Sequence, residues 1–328
     1  MNGYPVGVLG VGMYAPERRL TNQELEKMVD TNDEWIVSRT GIRERRIAAP
    51  EQATSDLAYE ASLKALAAAG ITAEELDLIV VATITPDMFF PSTACILQEK
   101  LGAKKAAAFD LSAACSGFIY GLANASGFIA SGMYRYALVI GADSLSRITD
   151  YTDRNTCILF GDGAGAAVLG RVPEGRGFRS FELGADGSGG ELLNLRGGGS
   201  RLPSSEKTIA DRNHFIYMNG REVFKFAVRI MGNAAEEALR KAGKSKEDID
   251  LLVPHQANIR IIQSSLERLS LSEDKCKINV DRYGNMSAAS IPLALAEAVE
   301  EGRVREGDCL VLVGFGGGLT WGASVLVW

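Results

Sequence analysis

AAGITAEELDLIV at residues 68–80 and KAGKSKEDIDLLV at 241–253 align without a gap: a helix end, a glycine, an acidic linker, then a strand carrying an Asp. FGDGAGAAVL (160–169) matches FGGGLTWGASVL (315–326) with a few extra residues. Between these pairs, SGFIYGLANASGFIASG lines up with SAASIPLALAEAVEEG. Three matches in one order mark a duplicated fold. The chain therefore reads as two similar α/β halves, residues 1–172 and 173–328, packed as one compact unit with matching sheets stacked about a pseudo-twofold axis. A site between such halves draws on loops at equivalent strand ends. Taken at a spacing of 170 residues, the last pairing sets Cys115 opposite Asn285.

Helix and strand signals alternate within each half. Thr21 with Glu24 forms a capping box, and SDLAYEASLKALAAAG is a helix stopped by Gly70. LDLIVVATI is apolar on both faces, as buried parallel strands are. AAAFDL (106–111) and ALVIGA (137–142) are further strands, with a helix from about Cys115 to Gly132 between them. Asn219 and Glu222 open a long helix that ends at Gly243, and the glycine-rich stretch from Gly184 to Pro203 reads as a flexible insert. GDGAGA runs into a β-like stretch rather than opening a helix, so it predicts close backbone approach and not a phosphate loop.

Composition removes several function classes. The net charge of −6 argues against nucleic acid as a partner. No apolar run reaches the ~20 residues of a membrane span, and the N-terminus lacks the basic region of a signal peptide. Five cysteines with no CxxC pair give neither a disulfide framework nor a zinc site, so no metal is expected and a reducing cytoplasm fits.

One of those cysteines, Cys115, sits among Ala113, Ala114, Ser116 and Gly117 at a strand–helix junction. A helix N-terminus there favours a thiolate and so a nucleophile. Of the two histidines, His214 has no acidic or nucleophilic company, whereas His255 in LLVPHQANIR leaves the strand of the second repeat. With Asn285 opposite Cys115, the three residues converge. Two chemistries fit: hydrolysis with His as base and Asn as its orienter, or acyl transfer in which both donate hydrogen bonds to a thioester oxygen. The CGSCW context of papain-like enzymes is absent.

SAACSGF, PHQAN, YGNMSAAS, FGGGLTWG and DEWIVSRTGIRERR together resemble β-ketoacyl-acyl carrier protein synthase III, the starter condensing enzyme of type II fatty-acid synthesis, over essentially the whole chain. The resemblance implies a thiolase-like fold of αβαβα layers and a ping-pong reaction. Cys115 takes the acyl group from an acyl-coenzyme A, malonyl-acyl carrier protein loses carbon dioxide, and its carbanion attacks the acyl-enzyme. His255 and Asn285 would hold the enolate oxygen, and the N–H groups of Cys115 and Gly317 would form the oxyanion hole. Coenzyme A enters as part of a substrate, so no cofactor is expected. The family pattern places its adenine between Trp35 and Arg39, with Thr40, Arg154, Gly220, Phe224, Asn258 and Arg260 along the channel.

The acidic carrier protein needs a basic patch, for which Lys225, Arg229, Arg260 and Arg268 are the candidates. The family works as a homodimer. In PDMFFPSTACILQ, Phe89 is expected under its own subunit and Phe90 across the interface, closing the partner's acyl pocket. Related Cys-His-Asn enzymes of specialised polyketide metabolism are the alternative. A degradative thiolase would carry a second cysteine in a C-terminal CxG, where this chain has LTWGASVLVW, and a non-catalytic subunit would lack Cys115.

Overall fold

The computed structural model describes residues 3–328. Two sheets form, and each repeats the strand order of the other. In the first half Val6–Tyr14 (β1), Leu78–Ala82 (β2), Ala107–Leu111 (β3), Ala137–Ser144 (β4) and Asp162–Arg171 (β5) lie in the order β1-β5-β4-β2-β3. In the second, Gly177–Ala185 (β6), Leu251–Pro254 (β7), Cys309–Gly316 (β8) and Thr320–Val327 (β9) lie in the order β6-β9-β8-β7. Strands β2, β3 and β4 run parallel, as do β7 and β8, and the remaining pairs are antiparallel. Where the second half lacks a counterpart of β3, a single parallel bridge joins Leu252 to Cys276.

Helices Asp33–Thr40 (α1), Thr54–Ala69 (α2), Gly117–Ala130 (α3), Gly220–Ala242 (α4), Ile259–Leu269 (α5) and Ser290–Glu300 (α6) complete the layers. Helix α2 covers the outer face of the first sheet and α4 that of the second, while α3 and α6 fill the space between the sheets. Burial follows from sequence. Every residue of α6 from Ser290 to Ala298 is buried, as suits a helix that is largely apolar all round, Glu297 being the charged exception. Helix α4 instead buries one stripe that includes Val223, Phe226, Met231 and Leu239. The chain passes from one sheet to the other between Arg171 and Gly177.

The GDGAGA stretch is the start of β5, a buried strand. A Cβ on Gly165 would lie 2.5 Å from the backbone nitrogen of Leu293, so bare backbone is what lets α6 lie against this strand. The Gly184–Pro203 stretch is more ordered than its composition predicts. After β6 it forms a short helical turn, then pairs Leu193–Asn194 with Tyr217–Met218. The capping box at Thr21 and Glu24 is present, and Gly70 and Gly243 end their helices at φ 67° and 65°.

The duplication is real, but its register at the centre is three residues from the one read in the sequence. A 3-10 turn at Ala114–Ser116 leads into α3, and its counterpart at Ser287–Ala289 leads into α6. Both turns begin with a non-glycine residue in the left-handed region, Ala114 at φ 46° and Ser287 at φ 47°. Such residues carry strain that only a fixed surrounding holds, so they mark equivalent positions better than apolar text does. The counterpart of Cys115 is therefore Ala288, and that of Asn285 is Ser112.

Each sheet receives the other half's turn against bare backbone. A side chain on Gly141 of β4 would run into the Ala288 carbonyl, and a Cβ on Gly316 of β8 would lie 2.6 Å from the Cys115 nitrogen. Gly141→Ala is expected to cost about 2 kcal/mol by overpacking, read as a lower urea midpoint at an unchanged slope. A midpoint equal to that of the unsubstituted protein would show that the contact yields.

Candidate active site

The ends of β2, β4, β7 and β8 and the turn after β3 meet at one edge between the halves, where a cavity of about 360 Å³ opens. Its wall is mainly apolar, with Ile84, Leu145, Phe160, Leu193 and Gly317 around the thiol of Cys115. Leu193 comes from the glycine-rich stretch, which thus serves as a wall rather than a free insert.

His255 follows β7 directly, is buried, and donates its backbone N–H to the Val313 carbonyl at 2.7 Å. A Cβ on Gly314 would lie 3.4 Å from the His255 Cβ and 3.5 Å from the Cys115 carbonyl oxygen, so one bare residue separates the two. Asn285 is tied to the strip beside Phe160. Its N–H donates to the Leu159 carbonyl, and its own carbonyl accepts from Gly161, both at 2.9 Å. The Ser287 N–H donates to Asn285 Oδ1 at 2.8 Å. Because a backbone N–H can only donate, that bond fixes the amide and leaves Nδ2 as a donor. His255 lies beside Cys115 across Gly314, and Asn285 is bonded to Ser287, a residue of the cavity wall; neither His255 nor Asn285 is itself among the residues that line this cavity.

Burial dominates the electrostatics. It pushes the Cys115 thiol up to about 12; Ser287 opposes this and the charge of Asp143 adds to it. A thiolate stabilised by the helix N-terminus is thus overturned: α3 begins only at Gly117, and desolvation outweighs its end. Burial also lowers His255 to about 3, so the imidazole is neutral. Its Nδ1 has no partner among the described residues, and the ring packs edge-on against Phe315 at 5.8 Å. No cluster of three or more metal-ligating side chains occurs among the described residues.

Sequence reasoning missed Asp143. It is fully buried at the end of β4 and accepts from the Thr83 and Thr85 hydroxyls at 3.0 and 2.8 Å, from the Ile84 and Thr85 N–H groups at 2.9 and 3.2 Å, and from the Ala288 N–H at 3.2 Å. It pins a wall of the cavity and the turn after Asn285 to one carboxylate. An Asp ending the strand ALVIGADS was the available signal.

The residues expected along a coenzyme channel divide. Arg39 lies 4.6 Å and Arg154 5.2 Å from the Trp35 ring centre. The Arg39 guanidinium already rests against the indole, so an adenine would displace it rather than enter an open slot. Thr40 is buried and occupied, donating to the Ile36 carbonyl at 2.7 Å and accepting from Ile42 at 3.0 Å. It does not line a channel. Asn258 caps α5 by accepting from Ile261 at 3.1 Å. Gly220 lies in the wall of a polar cavity of about 700 Å³ that shares Ile216 with the inner one, and Arg260 stacks on Phe224 at 5.0 Å.

The basic patch is thinner than the sequence reading. Arg268 is held by Glu236 at 2.8 Å with its stem over Gly232, and Lys225 is paired with Glu222 at 2.8 Å. Arg229 and Arg260 have no ion-pair partner among the described residues. Gly317 lines the cavity, but it is Gly316 whose missing side chain admits the Cys115 nitrogen. Phe89 is 83% exposed, not packed under its own subunit, and Phe90 is 84% exposed.

Two family models match, 3-oxoacyl-[acyl-carrier-protein] synthase III over residues 109–187 and its C-terminal model over 239–328. A β-ketoacyl-[acyl-carrier-protein] synthase III of Desulfitobacterium hafniense is 61% identical over 98% of each chain. The crystal structure of the synthase III of Thermus thermophilus is 54% identical with a TM-score of 0.92, covering 98% of this chain and 99% of that one. The priming β-ketosynthase of the R1128 polyketide pathway has the same TM-score at 37% identity, covering 99% and 97%.

A histidine held neutral by burial makes stability acid-sensitive. The unfolded chain binds a proton below its ordinary value of 6.5, while the native site refuses one until about 3. The contribution is therefore full above pH 6.5 and is lost as pH falls from 6.5 towards 3. Over that window the wild-type advantage over His255→Asn is expected to shrink by up to about 1.4 kcal/mol per pH unit, read from urea midpoints. Parallel curves would place the acid sensitivity elsewhere.

Proposed function

The chain belongs to the 3-oxoacyl-[acyl-carrier-protein] synthase III family, and from that premise we propose how its residues divide the reaction. It is an acyltransferase of fatty-acid synthesis that condenses an acyl-coenzyme A primer with malonyl-acyl carrier protein. The curated synthase III relative at 61% identity favours this reading over the polyketide one, whose structure is 37% identical.

The observation that carries the proposal is a buried thiol at the wall of a mainly apolar cavity, with a buried neutral imidazole beside it. Cys115 Sγ adds to the primer's thioester carbon, the carbonyl electron pair moves to oxygen, and on its return the C–S bond to coenzyme A breaks. Because the thiol is held protonated, its proton must pass to the departing sulfur in the same step. The tetrahedral oxygen faces the Cys115 N–H and the turn at Gly316 and Gly317. Malonyl-acyl carrier protein then loses carbon dioxide, and the electron pair of the broken bond moves into an enolate. Neutral His255 supplies one ring N–H to that oxygen and Asn285 Nδ2 another. Neither donor carries charge, and at buried positions each is worth more than in solution. The carbanion closes the C–C bond on the acyl carbon, and the Cys115 sulfur leaves as a thiolate that takes up one proton from solvent to restore the thiol. No cofactor enters this sequence; coenzyme A arrives with the primer.

Trp35, Arg39, Arg154, Gly220, Phe224 and Arg260 are proposed to receive coenzyme A, Gly220 being the one of them that lines the polar cavity, and Arg229 and Arg260 the acidic carrier. No helix among the described residues is long and apolar enough to cross a membrane. We place the reaction in the cytoplasm.

Incubation with labelled acyl-coenzyme A should leave label on the wild type and none on Cys115→Ala. His255→Ala and Asn285→Ala should keep acylation and lose decarboxylation of malonyl-acyl carrier protein by about a hundredfold or more, measured by rapid quench. Equal loss of both half-reactions would refute the division.

We also propose a homodimer. Met88, Phe89 and Phe90 are 49%, 83% and 84% exposed in one chain, and burying such side chains gains about 1.5–3 kcal/mol each. Phe89 and Ile84 line a cavity of about 600 Å³ that shares Ile84, Ile148 and Leu195 with the one around Cys115. A second copy covering this face would close the acyl pocket with Phe90. Phe90→Ala is then expected to raise relative kcat/KM for longer or branched primers. An unchanged primer ranking in a dimeric variant, or a monomeric wild type by sedimentation, would overturn the proposal.

A further inference from the structure

Behind the two enolate donors lies a buried polar network that the reaction itself does not use. Gln256, next to His255, is fully buried and uses its whole amide across one gap. Its Nε2 donates to the Pro254 carbonyl at 2.8 Å and to the Lys277 carbonyl at 3.1 Å, while Oε1 accepts from the Asn279 N–H at 3.0 Å. The strand end that carries His255 is thereby fastened to the segment that leads to Asn285.

That segment is fastened in turn to α6. Glu297, buried in the middle layer, accepts from Asn279 Nδ2 at 2.9 Å, from Arg282 Nη1 and Nη2 at 2.7 and 3.0 Å, and from the Tyr283 hydroxyl at 3.1 Å. The Lys277 ammonium, also buried, lies 2.9 Å from Glu297 and 2.6 Å from Glu301. Buried charges persist only where they are paired and hydrogen-bonded, and here five contacts converge on one carboxylate.

The site needs such a brace. Among the described residues His255 Nδ1 has no partner and no carboxylate orients the ring as one does in triads; the ring follows its backbone and Phe315. Asn285 follows Gly284, whose N–H is bonded to the Val280 carbonyl at 2.9 Å within the braced turn. We propose that Gln256 and Glu297 are positioning residues that set the distance between the donors of His255 and Asn285. The inference rests on those two residues holding the enolate.

The experiment measures both half-reactions separately in Gln256→Met, Glu297→Gln and Arg282→Lys: acylation of Cys115 by mass spectrometry, and carbon dioxide release from labelled malonyl-acyl carrier protein. A displacement near 1 Å costs up to about a hundredfold in rate. Gln256→Met and Glu297→Gln are therefore expected to lower decarboxylation at least tenfold with acylation within twofold of wild type. Arg282→Lys, at a half-exposed position, keeps the charge but loses the two-pronged contact and should shift the same ratio severalfold.

General destabilisation would lower both half-reactions together and leave the ratio fixed. A ratio within twofold of wild type in the variants that fold overturns the inference. If neither buried variant folds, Arg282→Lys decides it by the same criterion. His255→Ala and Asn285→Ala run alongside: if these two also leave the ratio fixed, it is the roles of the donors that fail, not the brace.

Discussion

The site depends on how closely two polypeptide turns approach two strands. The turn bearing Cys115 comes from the first half and rests on Gly314 and Gly316 of the second sheet; the turn bearing Ala288 comes from the second half and rests on Gly141 of the first. At Gly316 and Gly141 the contact is backbone against backbone, with no room for a methyl group. Close packing of this kind is sensitive to single methylenes, so the separation of Cys115 from His255 is fixed by glycine positions far apart in sequence. The left-handed Ala114 and Ser287 are held in place by the same contacts. Their strain is sustained because the surrounding structure leaves no alternative.

That closeness also sets the chemistry. Packing this tight buries both titrating groups, and burial moves them towards neutrality: Cys115 up to about 12 and His255 down to about 3. An ion pair of thiolate and imidazolium, as in a hydrolase, is the state such a site disfavours. Two neutral donors for an enolate are the state it favours. Burial of both groups thus fits acyl transfer better than an ion-pair hydrolase, in the direction that the synthase III relatives already give. Asp143 reinforces the choice, since its buried carboxylate adds to the cost of a second negative charge on Cys115.

Much of this was legible in the chain. The ungapped repeat revealed the duplication, and the junction at SAACSGF, the exit at PHQAN and the turn at YGNMSAAS marked the three residues that meet. What the text did not reveal was geometry fixed by tertiary contact. The register of the repeat hung on φ angles at Ala114 and Ser287, residues with no sequence signature for a left-handed conformation. The sign of the Cys115 shift hung on how deeply the thiol is buried, which a helix-end argument from neighbours could not weigh. Thr40 lies at a family position for the coenzyme channel, yet its hydroxyl is taken up at the end of α1. Phe89 was assigned inward by hydrophobicity alone, although it stands in water in the single chain. Gln256 and Asp143 were in plain view beside better-known letters. Their meaning appears only when their partners, distant in sequence, are seen.

A duplicated fold with a pseudo-twofold axis has room for two sites, and the structure shows how one of them is closed. In the repeat register, Cys115 and His255 correspond to Ala288 and Ala82. Both alanines face Gly117, where a Cβ would lie 3.0 Å from the Ala82 Cβ and 3.7 Å from the Ala288 Cβ. Methyl groups thus fill the space that a thiol and an imidazole occupy on the other side. The amides differ as well. The Ala288 N–H, equivalent to the Cys115 N–H that we propose for the oxyanion hole, is already bonded to Asp143 at 3.2 Å. A donor committed to a carboxylate has nothing left for a developing oxyanion. The Cys115 N–H instead faces the bare backbone of Gly316. One architecture, repeated, therefore yields a single reactive centre because one copy keeps its donor open and its cavity lined by a nucleophile. The other copy satisfies its donor internally and contributes, through Asp143 and the turn after Asn285, to holding the first in place.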